Sequence, residues 1–301
     1  MNVIETQQLT KSYGASPVVK GITVTVKKGE VFGFLGKNGA GKSTFINTLT
    51  GIIHPTSGSY SLLGEKGPND KIKQKIGVMP DYVTFYSSLT PVKHLRMLSA
   101  LSGKPVSKSQ CIDVLNKVGL EKHAHKKTSK FSFGMKKKLG IAMAIIHDPE
   151  LIFLDEPTSG LDAESVIVIQ KLIQQLQSNG KTVFMTSHNL DEVEKICTRM
   201  AIMKEGQIVK IGTIDELRSF YRSTITVKVK HSTIPMNEKV NLYHWLGSNG
   251  TDLEATETHF VLNVNSENKI AEVIRALNQL KVDVLRVEVE EPSLEEIFLE
   301  A

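Results

Sequence analysis

The sequence predicts an α/β fold: a mixed sheet with helices, joined by antiparallel β and helical subdomains, and followed by a small α+β C-terminal domain. Short apolar runs at residues 31–35, 151–154 and 182–186 are typical of strands covered on both faces of a sheet. Residues 90–147 instead carry leucines at helical spacing and almost no strand signals. Residues 221–301 return to alternating apolar positions. These changes of pattern indicate a large α/β unit with a helical insertion and a second, smaller unit.

Composition supports two folded units. The 301 residues carry a formal net charge of +5, and 40% of them are hydrophobic, which excludes a disordered chain. Residues 1–220 hold 29 Lys and Arg against 19 Asp and Glu, whereas residues 221–301 hold 8 against 13. Opposite charge signs indicate units with different surfaces. We predict a nucleotide-binding domain at 1–218, with a helical subdomain at about 82–148, and an accessory domain at 222–301.

A membrane span, secretion and disulfides are not expected. The longest apolar run, residues 139–146, is far shorter than the roughly 18 residues that cross a bilayer. The first residues lack the apolar core of a signal peptide. Cys111 and Cys197 stand alone, without metal-ligand spacing, and are interpreted as buried thiols. A cytoplasmic chain is therefore expected.

Local patterns place the elements of the first domain. Alternation of apolar and polar residues over 22–26 predicts a strand with one buried face. The apolar run at 31–35 leads through a glycine-rich loop into a helix predicted from Ser43. Residues 204–207 carry a turn signal between two short apolar runs, which predicts a hairpin.

In the C-terminal domain, three sets of alternating apolar residues predict strands. They are Ile225, Val227 and Val229; Phe260, Leu262 and Val264; and Leu285, Val287 and Val289. Ile270, Ile274 and Leu277 share one face of a predicted helix. These three predicted strands and one predicted helix fit a small α+β unit.

Residues 36–43 match the phosphate-binding pattern G-x-x-x-x-G-K-[ST], with a strand predicted before them and a helix after them. Glycines let backbone N–H groups converge on phosphate oxygens, and the helix N-terminus adds a positive end. Lys42 is expected to reach the β- and γ-phosphates, and the Ser43 hydroxyl to ligate Mg²⁺. The pattern predicts a P-loop NTPase core. The expected nucleotide-binding residues here are Gly36, Asn38, Gly39, Ala40, Gly41, Lys42, Ser43 and Thr44.

Two adjacent carboxylates, Asp155 and Glu156, directly follow the apolar run at 151–154. Ligands bind at the carboxyl ends of strands in open α/β sheets. Asp155 is expected to hold Mg²⁺, directly or through water. Glu156 is expected to act as the general base on the attacking water.

Seven motifs stand in one order along the chain. They are Lys11-Ser12-Tyr13-Gly14, the phosphate loop, Met79-Pro80-Asp81, Phe131-Ser132-Phe133-Gly134-Met135-Lys136, Asp155-Glu156, Ser159-Gly160-Leu161-Asp162 and Thr186-Ser187-His188. Over about residues 1–215 the chain resembles the ATPase subunit of an ATP-binding-cassette (ABC) transporter. Residues 291–299 are similar to the end of single-cassette exporter subunits that have a small C-terminal accessory domain and a separate permease.

The resemblance implies a role for each motif. Tyr13 would stack on adenine, Asp81 stands at the Q-loop position as a further metal residue, and Asp162 belongs to the D-loop. His188 would contact the γ-phosphate and act with Glu156 in catalysis. In a head-to-tail dimer, the signature residues would touch the partner's ATP; they are Ser132, Gly134 and Met135. Simpler interpretations remain open: Tyr13 as a packed aromatic, His188 as a helix-start residue and Asp162 as a helix cap.

The resemblance also implies cofactors and partners. The cofactors are ATP and Mg²⁺. The partners are a second ATPase cassette, in a homodimer or heterodimer, and a separate transmembrane permease that docks near Asp81 and residues 82–100. The protein is expected in the cytoplasm, bound peripherally to the inner face of the cell membrane through the permease. The expected function is to power export of peptides, drugs or other amphipathic cargo.

Three positions depart from the family pattern. Phe133 replaces the usual first glycine of the signature, Asp81 replaces the usual Gln or Glu, and Lys37 replaces the usual proline. Either the Phe133 ring turns away from the partner's ATP, or this signature serves a weakened site. The shorter carboxylate of Asp81 would reach Mg²⁺ only through water.

Two alternative functions remain. One is a soluble ABC ATPase that acts on the ribosome or nucleic acid, and the other is a regulatory cassette with weak hydrolysis. Residues 117–138 contain eight lysines and one acid, but aromatic residues are sparse there. A basic face near the membrane or permease is favoured, and no nucleic-acid partner is expected.

Overall fold

The structure is a computed structural model that describes residues 1–67, 69–221 and 225–290. It divides into two compact units, Met1–Thr213 and Ile214–Ala301. Residues 222–224, where the predicted second domain begins, and residues 291–299, the exporter-like ending, lie outside the described residues. Within the described ranges, none of the helices has both the length and the apolar character needed to cross a bilayer.

The strands and helices of the described residues are numbered in chain order. The strands are β1 Asn2–Tyr13, β2 Ser16–Ile22, β3 Thr25–Lys27, β4 Val31–Leu35, β5 Ser57–Leu62, β6 Glu65–Lys66, β7 Ile76–Met79, β8 Leu151–Leu154, β9 Thr182–Ser187, β10 Arg199–Lys204, β11 Gln207–Thr213, β12 Ile225–His231, β13 Thr251–Ala255, β14 His259–Val264 and β15 Val284–Glu290. The helices are α1 Lys42–Leu49, α2 Asp70–Lys73, α3 Pro91–Leu101, α4 Lys108–Lys117, α5 Phe133–Ile145, α6 Ala163–Ser178, α7 Leu190–Ile196, α8 Ile214–Tyr221, α9 Met236–Asn249 and α10 Glu267–Gln279. Short 3₁₀ turns lie at Glu121–His123 and Thr128–Lys130.

The central sheet has six strands in the order β11-β10-β4-β9-β8-β7. Neighbours are parallel except for the hairpin of β10 and β11. Every residue of β4, β8 and β9 is buried, as their continuous apolar runs predict. The sheet is therefore mixed, as expected for a P-loop NTPase core.

A second, antiparallel sheet has the order β2-β1-β5-β6, with β3 paired to β1. The apolar core contains residues of both sheets and of α1. Phe184 lies at its centre on β9, with ring centroids 5.5–6.0 Å from four other phenylalanines. Packed aromatic rings of this kind stabilise the layer between a sheet and a helix.

Between β7 and β8 the chain forms helices and turns. Side-chain caps start the helices: Thr90 accepts from the backbone of Lys93 at α3, and Ser107 forms a capping box with Gln110 at α4. Helix α5 packs directly on β7, since a Cβ at Gly77 would fall 1.9 Å from the carbonyl oxygen of Ala144. This close approach fixes the C-terminal part of α5 against β7.

The C-terminal unit contains a four-stranded antiparallel sheet, in the order β13-β14-β12-β15. The alternating residues of β12 and β14 are buried, together with Val273 and Leu277 of α10. Helix α9 and strand β13 have no counterpart in the sequence interpretation. Leu285, Val287 and Val289 are 39–61% exposed. The alternation of these residues predicts the strand correctly. Their exposure follows from the position of β15, which pairs only with β12 at the edge of the described sheet and is therefore covered less than an inner strand.

His94, on α3, is buried with a defined tautomer. Its Nε2 accepts a hydrogen bond from the backbone N–H of Tyr86 at 3.1 Å. Because that N–H can only donate, the ring proton lies on Nδ1, which donates to the carbonyl oxygen of Thr90 at 3.1 Å. Burial lowers the pKa of His94, opposed in part by the bond to Thr90. Burial also lowers the pKa of His147.

We predict that stability falls in mild acid because of His94. A histidine whose pKa is lowered by folding binds a proton more tightly when unfolded, so its penalty begins as pH falls below its unfolded pKa of about 6.5. Urea unfolding at about pH 7.5 and about pH 5.5 measures this loss. His94→Gln keeps an acceptor for the backbone N–H of Tyr86. Between the two pH values, its free energy of unfolding should fall less than that of the wild type. Part of the loss that remains in this variant is due to His147. The exposed His54→Gln variant is the control. An equal loss in His94→Gln and wild type would contradict the assignment.

Candidate functional site

The phosphate loop joins β4 to α1 and requires glycine. Gly41 has φ +107°, and a Cβ there would lie 2.7 Å from the carbonyl oxygen of Val18. The turn therefore combines a left-handed backbone with a close backbone approach, which only glycine tolerates. Helix α1 begins immediately at Lys42, so its free N–H groups face the loop.

Lys42 is buried and points back across the loop. Its Nζ donates to the carbonyl oxygens of Gly36 at 2.5 Å and Lys37 at 3.3 Å. It also forms an ion pair with Glu156 Oε1 at 3.2 Å. The ammonium is thus held among oxygen atoms inside the loop, and its contact with phosphate stays a prediction.

Glu156 is held by hydrogen bonds to its backbone and to one oxygen of its carboxylate. It has φ +52°, a left-handed conformation that is unusual for a residue with a side chain. Its backbone N–H donates to Thr186 Oγ1 at 2.9 Å, and its carbonyl oxygen accepts from Lys137 Nζ. Its Oε2 lies 2.8 Å from His188 Nδ1. The carboxylate thus lies between the side chains of Lys42 and His188.

Asp155 is buried beside Glu156. Burial raises the pKa of its carboxyl, whereas hydrogen bonds from Thr186 and Ser43 lower it and the charges of Asp81 and Glu156 raise it further. The hydroxyl of Thr186 donates to Asp155 Oδ1 at 2.6 Å while accepting from Glu156. One threonine on β9 therefore orients both acids at the end of β8. Sequence reasoning missed Thr186 as a site residue, although a hydroxyl inside a fully buried strand was an available signal.

The oxygen donors at this edge fit Mg²⁺. The Ser43 hydroxyl lies close enough to the Asp155 carboxyl to lower its pKa, and Mg²⁺ prefers oxygen ligands of both kinds. Among the described residues, no group of three or more His, Cys, Asp or Glu could hold a metal alone. Mg²⁺ in nucleotide sites commonly uses one or two protein ligands and completes its shell with phosphates and water.

Asp81 forms an ion pair with Lys137, its Oδ1 lying 3.0 Å from Nζ. Its charge also contributes to the raised pKa of the Asp155 carboxyl. The metal role of Asp81 stays a prediction.

A cavity of about 580 Å³ opens at this edge. Its lining includes residues 38–44 of the phosphate loop and Asp81, Phe133, Glu156 and His188. Tyr13 is exposed at the end of β1, with Lys11 Nζ 5.2 Å from its ring centroid, and is not among the described residues that line this cavity. The structure therefore brings together the phosphate loop and the catalytic candidates but leaves Tyr13 outside.

The signature residues start helix α5. Ser132 is the N-cap and accepts from the backbone N–H of Met135 at 3.3 Å. The Phe133 ring turns to Gly160 of the same chain, where a Cβ would come within 2.6 Å of a ring carbon. The ring therefore lies against the D-loop segment, and Gly160 provides the room for it.

Asp162 caps helix α6. Its Oδ1 accepts from the backbone N–H of Ser165 at 2.9 Å, and its Oδ2 accepts from the Ser165 hydroxyl at 2.9 Å. These hydrogen bonds lower the pKa of the Asp162 carboxyl. The capping interpretation therefore holds, and it leaves the D-loop role as a prediction. His188, by contrast, precedes the N-cap of α7, which is Asn189.

Comparison with known proteins covers both units. Residues 19–159 match the family model described as "ABC transporter", and residues 212–301 match "ATP-binding protein DrrA1-3-like, C-terminal domain". The linearmycin resistance ATP-binding protein LnrL of Bacillus subtilis is 33% identical over 99% of this chain and 97% of its own length. The bacitracin transport ATP-binding protein BcrA of Enterococcus faecalis is 36% identical over 98% of this chain and 95% of its own length.

Solved structures share the fold. The structure of an ATP-binding subunit of an ABC transporter has TM-score 0.66 and 28% identity, covering 73% of this chain and 93% of that one. A dimeric ATP-binding cassette in a post-hydrolysis state, bound to ADP and Pi, has TM-score 0.66 and 23% identity, covering 70% and 98%. The second likeness concerns the fold alone.

Proposed function

Since the chain belongs to the ABC transporter family as an ATP-binding subunit whose ATPase activity is coupled to transport, we propose which of its residues bind and hydrolyse ATP. The proposed nucleotide-binding domain is residues 1–218 and the proposed accessory domain is residues 222–301, whereas the compact units divide slightly earlier, after Thr213. One observation carries the catalytic assignment: the Glu156 carboxylate lies between Lys42, at 3.2 Å, and His188, at 2.8 Å, in one cavity with the phosphate loop.

Lys42 binds the β- and γ-phosphates of ATP, and the backbone N–H groups of residues 38–44 surround the phosphate oxygens. The present partners of Lys42 are carbonyl and carboxylate oxygens, which phosphate oxygens can replace without leaving the ammonium unpaired. Arrival of the phosphates then releases Glu156 from Lys42. Tyr13 is proposed to stack on adenine as an exposed aromatic outside the phosphate cavity.

Ser43 and Asp155 would hold Mg²⁺, and Asp81 is a further candidate that would act through water. When bound, the ion would neutralise negative charge on the β- and γ-phosphates. The raised pKa of Asp155 and its two hydroxyl neighbours support this assignment, because a buried carboxyl of this kind is stabilised as an anion by a nearby cation.

Glu156 accepts a proton from the water that attacks the γ-phosphate. General-base catalysis of this kind contributes roughly 10²–10⁴-fold to the rate. His188 donates its Nδ1–H to the carboxylate and, when Nε2 also carries a proton, donates that proton in a hydrogen bond to the γ-phosphate. Because its side chain is 46% exposed, it can reach a ligand in the cavity.

A second copy of this chain completes the site. Ser132 is exposed and stands at the N-terminus of a 13-residue helix, so it presents N–H groups and a hydroxyl outward. In a head-to-tail pair this terminus faces the partner's γ-phosphate, together with Gly134 and Met135. Asp162 lies in the D-loop at the same interface. Closed pairs of identical chains are the commonest oligomers.

The partner in the membrane is a separate permease, which docks near Asp81 and residues 82–100. The subunit therefore works in the cytoplasm, on the inner face of the cell membrane. Tyr82 and Tyr86 are exposed in this segment, which supports it as a contact surface.

The cargo is an amphipathic antimicrobial compound, exported from the cell. The relatives named for linearmycin resistance and bacitracin transport are similar over nearly the whole chain, including the C-terminal unit. Deletion of the gene should therefore increase sensitivity to bacitracin or linearmycin, and restoring the gene should reverse the change. Minimal inhibitory concentrations measure it. Unchanged sensitivity to both compounds would contradict this cargo but not the ATPase assignment.

We predict that Glu156→Gln lowers ATP turnover by about 10²-fold or more because it removes the general base. ATP binding should persist, since Lys42 and the loop are unchanged and the site loses a negative charge. Phosphate release and calorimetric titration with ATP measure the two effects.

The matched control is Glu150→Gln. Glu150 stands just before β8, at the opposite end of the strand that leads to Glu156, and forms an exposed pair with Lys75. Such pairs contribute little, so turnover should be unchanged. Normal turnover in Glu156→Gln would contradict the assignment of the base.

A further inference from the structure

Lys137 is a buried lysine that joins two segments of the site. It lies on α5, and its side chain is 4% exposed. Its Nζ donates to Asp81 Oδ1 at 3.0 Å and to the carbonyl oxygen of Glu156. One ammonium group thus connects the loop after β7 with the end of β8.

The contact to Glu156 acts on a strained backbone. Glu156 has φ +52°, and a residue with a side chain keeps such a conformation only where its surroundings hold it. Its N–H is held by Thr186 from β9 and its carbonyl oxygen by Lys137 from α5. These two bonds set the direction in which the Glu156 carboxylate leaves the backbone.

Phe133 covers the same ammonium. It precedes Lys137 by one helical turn, and its ring centroid lies 5.8 Å from Nζ, within the range of a cation–π contact. The ring also packs against Gly160, so one face of α5 holds both ends of the segment 156–160. Phe133, which departs from the family pattern, therefore has a packing partner in its own chain.

We propose that Lys137 is a positioning residue for Glu156. It fixes the Glu156 backbone, and its ion pair makes that position depend on the Asp81 loop. The proposal rests on the proposed role of Glu156 as general base. Lys137 is not among the described residues that line the nucleotide cavity, so it acts through Glu156 rather than on ATP.

Lys137→Met is the first test because methionine fills a similar volume without charge. Turnover should fall about 10–100-fold, since a displacement near 1 Å at a catalytic group has an effect of this size. The dissociation constant for ATP should stay within about twofold, because no phosphate contact is lost. Thermal stability should fall, because methionine leaves Asp81 and the Glu156 carbonyl oxygen without their partner, so turnover is compared at a temperature where both proteins are folded. Lys117→Met, at an exposed position at the end of α4, is the control and should match wild type.

Two further variants separate the contacts. Lys137→Gln retains a donor for the Glu156 carbonyl and should keep more activity than Lys137→Met. Asp81→Asn should lower turnover in wild type but cause little further loss in Lys137→Met, because both changes break one connection. This non-additivity distinguishes the connection through Lys137 from a direct role of Asp81 at the metal. In the latter case, Asp81→Asn would lower turnover equally in wild type and in Lys137→Met.

The outcomes separate this inference from the proposed function. Normal turnover in Lys137→Met, with Glu156→Gln inactive, would overturn the positioning role alone. Weaker ATP binding with unchanged maximal turnover would also overturn it. If Glu156→Gln keeps normal turnover, the base assignment itself fails. Fully additive losses in Asp81→Asn and Lys137→Met would overturn the connection to the Asp81 loop.

Discussion

The site depends on the parallel pairing of β4, β9 and β8. In this register Leu35 lies opposite Ser187, and Leu154 lies opposite Met185. All three strands therefore end at one edge of the sheet. The phosphate loop, the pair of acids and the histidine each begin within a residue or two of those ends, so hydrogen bonding between strands alone brings them together.

Electrostatic balance at this edge depends on Glu156. Its Oε1 is buried and lies 3.2 Å from Lys42 Nζ, yet it receives no well-aligned hydrogen bond. A buried carboxylate with an incomplete set of partners is costly, so a ligand that draws Lys42 away also changes the environment of the base. In the proposed mechanism, Lys42 therefore links phosphate binding to the release of Glu156.

Sequence patterns predict the elements that are determined locally. The buried strands at β4 and β8 follow from continuous apolar runs, and the phosphate loop follows from its glycine and lysine spacing. Contacts between distant segments could not be predicted in this way. Lys137 is 19 positions from Glu156, and Thr186 is 30 positions away, and both meet it only because α5 and β9 pack beside β8. The turn of the Phe133 ring to Gly160 likewise depends on how α5 is placed.

The strand β15 illustrates a second limit. The alternation of its valines predicts a strand, but exposure depends on how many neighbours the strand has in the sheet. A similar limit applies to the signature residues at the start of α5. Their helix and cap are local properties, whereas the role proposed for them requires another chain.

The central claim is that each ATP is hydrolysed between the phosphate loop of one copy and the signature of another. The direct measurement is ATP turnover by a mixture of Ser132→Asp and Glu156→Gln chains. Aspartate keeps the helix cap but repels the γ-phosphate, so each variant alone should be nearly inactive. When equal amounts pair at random, about half of the dimers are mixed, and each mixed dimer has one intact site out of two. The mixture should therefore recover about a quarter of wild-type turnover. A mixture no more active than the sum of its parts would contradict the shared site.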